Sequence, residues 1–130
     1  MLGGDYMLTK HFAKYELACR HCAELPAGGM SKALMNGLEQ LRELICKPIY
    51  VTSGYRCPEH NMAVGGQPNS QHVQGCAADI YVEGVGVYEL GVMCRRIFDG
   101  VGEYYDQQFV HVDMRDNGKS PGKYLWDDQW

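Results

Sequence analysis

Two short segments constrain this chain more than anything else in it: Ser70-Gln71-His72-Val73-Gln74-Gly75-Cys76-Ala77-Ala78-Asp79 and, further on, Phe109-Val110-His111-Val112-Asp113. Together they supply two imidazoles and a carboxylate in His72, Asp79 and His111, a donor set suited to zinc. Groups so far apart along the chain can share an ion only if the fold gathers them by non-local contacts. Three protein ligands leave one coordination position open for water, whereas a structural zinc is normally closed by four protein ligands, commonly thiolates. The pattern therefore predicts metal-assisted hydrolysis. Taken singly, His72 reads as a surface loop histidine and Asp79 as a turn or strand-edge carboxylate; only the combination carries weight.

The rest of the chain predicts the frame for such a site. Leu8 to Leu17 reads as an arm packing Phe12, Tyr15 and Leu17, and Leu25-Pro26-Ala27-Gly28-Gly29 as a turn. Ser31 is placed as an N-cap, with Met30 and Met35 as a hydrophobic staple, and Leu34, Leu38, Leu41 and Ile45 recur at helical spacing, giving a helix over about 31–46. Pro48 stops it, and Ile49 to Thr52 is β-branched and aromatic enough for a strand. Residues 57–76 form a long loop with a short helix around Pro58 to Ala63, and loops of that length in small domains are often functional. A strand over Ala77 to Val82, a helix carrying Val87, Leu90, Cys94, Ile97 and Phe98, and strands over Val101 to Tyr105 and Phe109 to Met114 follow. This order predicts an α+β fold with a mostly antiparallel sheet and helices packed on it. The tail from Asp116 is turn-rich, with Tyr124, Leu125, Trp126 and Trp130 available to dock it. On the last of those strands, Val110 and Val112 take one face and His111 and Asp113 the other, so Asp113 is placed to receive an imidazole N–H or to position water.

Composition narrows the class. At 130 residues, 45% hydrophobic and 22% charged, the chain fits one domain over 1–130 with a single core, its dense motif region at 51–115 and its tail at 116–130. A net charge of -4 without any dense Lys/Arg run gives no general attraction to nucleic acid or anionic membranes. No run of about 18 apolar residues is present, and Met1 to Tyr6 carries neither a basic nor an apolar leader region. The expectation is a monomer made in the cytoplasm without a visible export signal and without membrane insertion. Of the six cysteines, Cys46 at a helix end and Cys94 on an apolar helix face read as core. Cys19-Arg20-His21-Cys22 is different, because C-x-x-C can hold half of a structural zinc site, with Cys57, Cys76 or His21 as conceivable partners.

Val51-Thr52-Ser53-Gly54-Tyr55-Arg56-Cys57-Pro58-Glu59-His60-Asn61, Val64-Gly65-Gly66, Asn69-Ser70-Gln71-His72, Gly75, Ala77-Ala78-Asp79-Ile80 and Val110-His111-Val112-Asp113 together resemble the zinc D-alanyl-D-alanine carboxypeptidases and related peptidoglycan peptidases. These belong with the hedgehog-like and lysostaphin-like zinc peptidases. The resemblance implies that His72, Asp79 and His111 bind one Zn²⁺, that Arg56 stabilises the oxyanion or holds substrate, and that Ser70 lies near the substrate's terminal carboxylate. A guanidinium suits that role, since it addresses a carboxylate or oxyanion with two donors. The substrate class implied is the peptidoglycan stem peptide, cut by a carboxypeptidase or endopeptidase, and small relatives of this shape resemble phage or prophage lytic and tail-associated peptidases.

One position departs from the pattern. Many relatives carry a Glu general base three residues before the last ligand, and here that residue is Gln108, whose amide cannot take a proton but can hydrogen-bond a substrate oxygen. Asp113, Asp106 and Glu103 are the carboxylates near enough in sequence to substitute, and strand geometry favours Asp113. Gln108 also supports a competing reading, a zinc-binding interaction module that keeps the ligands without hydrolysis. A third reading makes the domain a structural or redox protein organised by its cysteines.

Overall fold

A computed structural model describes residues 6–129; Met1 to Asp5, and with them most of the leader reading, and Trp130, a proposed tail anchor, lie outside the described residues. Helix α1 (Lys14–Leu17) is a single turn in the N-terminal arm, which buries Phe12 and Leu17. Tyr15, expected to pack beside them, instead leaves 63% of its surface in solvent, because the turn aims it away from the sheet side that takes Leu17. Helix α2 (Lys32–Ile45) begins where Ser31 Oγ accepts the Leu34 amide at 3.1 Å and ends at Cys46, whose φ of 59° turns the chain out of the helix. Cys46 is thereby exposed rather than part of the core. The apolar stripe of α2 is fully covered at Leu34, Leu38 and Leu41, each contributing about 2 kcal/mol by burial.

Among the described residues five strands make one sheet in the order β1-β2-β4-β3-β5: β1 (Tyr50–Ser53), β2 (Ala77–Tyr81), β3 (Gly100–Tyr104), β4 (Phe109–Asp113) and β5 (Tyr124–Asp127). All neighbours run antiparallel except β3 and β5, which are parallel. The strand β5 is new relative to the sequence reading, which gave the tail only a docking role. It is held from below by Asp99, wholly buried, whose carboxylate accepts the amides of Asp116, Gly118 and Ser120 at 2.8–2.9 Å. Between β1 and β2 lies α3 (Pro58–Ala63), and between β2 and β3 lies α4 (Val87–Cys94). Sequence periodicity carries α4 on to Phe98, but after Cys94 the chain tightens into turns in which Ile97 and Phe98 both donate to the Cys94 carbonyl. Ile97 and Phe98 stay buried all the same.

Alternation divides the sheet. Ala78, Ile80, Val101, Val110 and Val112 face the helices and form the core with α2 and α4. Asp79, His111 and Gly102 fall on the opposite face, where register puts Asp79 directly across from His111 and Gly102 directly across from His111 on the other side. No helix among the described residues is long and apolar enough to cross a membrane.

Candidate metal centre

The centre is a product of that register. Directly opposed residues on antiparallel neighbours project side by side, so pairing β2 with β4 brings Asp79 Oδ1 to 3.1 Å from His111 Nδ1. The third side chain comes from the turn before β2. There Ser70 Oγ accepts the His72 amide at 3.1 Å and the His72 carbonyl accepts the Arg56 amide at 3.2 Å, which places His72 Nε2 3.2 Å from the same Asp79 oxygen. All three residues are buried.

The far nitrogen of each imidazole settles its tautomer. His72 Nδ1 lies 2.7 Å from the Gly54 carbonyl, which can only accept, so Nδ1 carries the proton. His111 Nε2 lies 2.7 Å from Asp113 Oδ2 and donates there. In the neutral rings His72 Nε2 and His111 Nδ1 are then bare lone pairs, aimed at a buried carboxylate oxygen, with the three donor atoms within 4.8 Å of one another. Three buried donors converging on one point can hold a cation, and their types and spacing fit zinc held by two imidazoles and a carboxylate. Gly54 is needed for this: a Cβ there would stand 2.5 Å from the Leu17 carbonyl, which accepts the Tyr55 amide at 2.8 Å and docks the N-terminal arm beneath the turn.

Electrostatics fit the same picture. Burial alone would raise the Asp79 carboxyl, but its hydrogen bonds to His111 and His72 outweigh that and hold it well below the usual carboxylate range. Burial likewise opposes ionisation of Asp113, and His111 and Arg115 more than offset it. Arg115 grips Asp113 through Nε at 2.9 Å and Nη2 at 2.8 Å, and its guanidinium lies over the rings of Tyr124 and Trp126. For His111, burial disfavours the charged ring, yet the two carboxylates beside it leave its pKa raised.

The donors open onto a cavity of about 560 Å³. Arg56 and Ser70 line it, together with His72, Asp79 and His111. Arg56 is posed by Asn61 Oδ1 at 3.1 Å and Ser53 Oγ at 3.3 Å, with Nη2 3.7 Å from Asp79 Oδ2. The sequence reading missed Tyr104, Phe109, Arg115 and Trp126, which form the opposite wall. Trp126 lies 5.2 Å from the His111 ring and donates to Tyr104 Oη at 2.8 Å, while Tyr104 stacks on Phe109. Trp126 was visible as a docking residue of the tail, but nothing in its spacing signalled a place in the site.

The proposed bases fare differently. Asp113 has no exposed surface, and both its oxygens are engaged by Arg115 and His111, so it is placed to orient the imidazole rather than to take a proton from water. Gln108 sits in the β3–β4 turn at φ 60°, with Nε2 donating to the Tyr105 carbonyl at 2.5 Å, and lines a neighbouring depression with Thr52 and Tyr81 instead of this cavity. The left-handed turn points its amide away from the ligands. Glu103 lies on the other face of β3, against Gly91 of α4, held by Arg95 at 2.7 Å and receiving the Tyr105 hydroxyl at 2.7 Å, a bond that pushes the Tyr105 phenol up to about 12. Asp106 is exposed in the turn and outside the cavity. Asp79 is thus the one carboxylate lining the cavity among the described residues.

A family model described as Peptidase M15 matches residues 8–113, from the N-terminal arm through the last residue of β4. No individual curated protein matches the chain.

Proposed function

The chain belongs to the peptidase M15 family, a family of metallopeptidases, and from that premise we propose that it is a zinc-dependent hydrolase of D-alanine-containing stem peptides in bacterial peptidoglycan. The observation that carries the reading is the pair of imidazoles whose outer nitrogens are committed to Gly54 and Asp113, leaving both inner lone pairs and Asp79 at the floor of an open cavity. His72, Asp79 and His111 would hold the ion. With zinc in place they would supply Lewis acidity toward a carbonyl and a bound water of pKa about 7, which would lessen the demand for a strong protein base.

The chain's own residues do the remaining work. Arg56, fixed by Asn61 and Ser53 beside Asp79, presents its guanidinium to a carboxylate or to the developing oxyanion of the substrate. Ser70 lines the same side and keeps its hydroxyl hydrogen free to donate to a terminal carboxylate, since its oxygen is the acceptor for His72. Tyr104, whose oxygen accepts from Trp126, likewise keeps a proton to offer to a substrate oxygen across the cavity. Asp113 and Gly54 keep the imidazoles in the tautomers that ligation requires. The enzyme would meet its substrate after release or delivery to the wall, as a phage or prophage lytic or tail-associated peptidase does.

Among the described residues no second carboxylate lines the cavity and Gln108 is turned away, which favours a second reading: a zinc-binding module of the same fold that recognises stem peptides without cutting them. Product analysis separates the two. Zinc-loaded protein is incubated with purified peptidoglycan and with D-Ala-D-Ala-terminated peptides, with a chelator and Arg56→Ala as controls. Release of free D-alanine or of uncrosslinked stem peptides, lost with chelator and reduced at least about 100-fold by Arg56→Ala, is the expected result. Binding without release from either substrate establishes the module instead.

A further inference from the structure

A second cluster of ligating side chains lies apart from the hydrolytic centre: Cys19, Cys22 and Cys57 place their sulfurs within 4.8 Å of one another. We propose that Cys19, Cys22 and Cys57 form a second metal site, a structural one for zinc or a similarly thiophilic divalent ion. C-x-x-C supplies two thiolates from one tight turn, and the third comes from the residue that opens α3.

The backbone around these sulfurs is arranged for negative charge. Cys19 Sγ accepts the amides of His21 and Cys57, and Cys57 Sγ accepts the amide of His60, each at 3.4 Å. Amides directed at sulfur stabilise the thiolate, the form in which cysteine binds metal, each thiol releasing its proton to solvent on binding. Burial is graded in the same sense: Cys19 is enclosed, Cys57 half-buried and Cys22 exposed, so the ion has a path in and a protein floor beneath it. Two histidines accompany the cluster in the chain, His21 between the C-x-x-C cysteines and His60 in the first turn of α3, and their rings stack 6.0 Å apart. Cys46, Cys76 and Cys94 stand outside the cluster among the described residues.

The position explains what such an ion does. It ties the segment after α1 to the turn after β1, the same turn that offers the Gly54 carbonyl to His72 and carries Arg56 into the cavity. A thiolate-held ion there fixes the backbone that holds the hydrolytic centre, without touching substrate.

The test is metal stoichiometry on the whole chain, purified reduced and loaded with zinc. Wild type should bind about two zinc ions per chain, Cys22→Ser about one, His72→Ala about one, and the double variant none. Cys22 is exposed, so its replacement leaves the core intact. Cobalt substitution reads the ligands directly: an intense sulfur-to-cobalt charge-transfer band in wild type and in His72→Ala, absent from Cys22→Ser. One zinc in wild type with none in His72→Ala, an unchanged count in Cys22→Ser, or a disulfide among these cysteines in the reduced preparation would each overturn the proposal. Because His72→Ala isolates the cysteine cluster and Cys22→Ser isolates the hydrolytic centre, failure of one site is read separately from failure of the other.

Discussion

His111 faces a carboxylate on each side, Asp79 at Nδ1 and Asp113 at Nε2, and that sandwich decides how the centre responds to pH. Without metal the raised pKa means the ring keeps both protons through more of the neutral range, and the one on Nδ1 occupies the lone pair that zinc needs. Protons therefore compete with the ion below that pKa and cease to compete above it. Zinc affinity measured by competition with a chromophoric chelator should rise with pH through the neutral range and then level, with proton release on binding seen by calorimetry in buffers of different ionisation enthalpy. A flat profile would mean that His111 is already neutral and that Asp113 exerts no hold on it. Replacing Asp113 by Ala removes the acceptor for Nε2–H and leaves Arg115 without its partner; the expected cost is about 10- to 100-fold in zinc affinity. An unchanged affinity would show that packing against Trp126 alone orients the ring.

At the level of elements, the site depends on β5 as much as on the strands that carry the ligands. Gly102 on β3 pairs with Trp126 on β5, and a Cβ at Gly102 would come within 2.4 Å of the indole. Only glycine lets the ring lie across the strand to reach His111 and Tyr104. Gly102→Ala should therefore expel Trp126 from the cavity wall, lowering stability by about 1–3 kcal/mol and impairing hydrolysis more than zinc binding. Thermal unfolding, tryptophan fluorescence and peptide release together check this; a variant with native fluorescence and full activity would remove Trp126 from the account. The parallel pairing of β5 is also what the sequence hid best. Tyr124 to Asp127 is too short and too mixed for a strong alternating signal, and its place at the sheet edge is dictated by Asp99 gripping three amides of the tail, a contact with no local signature.

Across the whole molecule, legibility followed how local the governing physics is. The span of α2 could be read because one apolar stripe and one Ser31 cap act within the helix, and α3 because Pro58 opens it. His72, Asp79 and His111 could be named because liganding demands particular residue types in particular order, and the fold does bring them together. What escaped depends on direction rather than on type: that Tyr15 and Cys46 point outward, that Gln108 in a left-handed turn lies away from the three donors, and that Arg115 and Trp126 face inward as a cavity wall. The proposed hydrolysis needs an ion held by two imidazoles and one carboxylate with a position left for solvent. X-ray absorption fine structure on zinc-loaded Cys22→Ser protein examines that centre most directly. The prediction is a first shell of nitrogen and oxygen only, at about 2.0–2.1 Å, with two imidazole signatures that disappear in His111→Ala; a sulfur in the shell, or a fourth protein donor filling the solvent position, would contradict it.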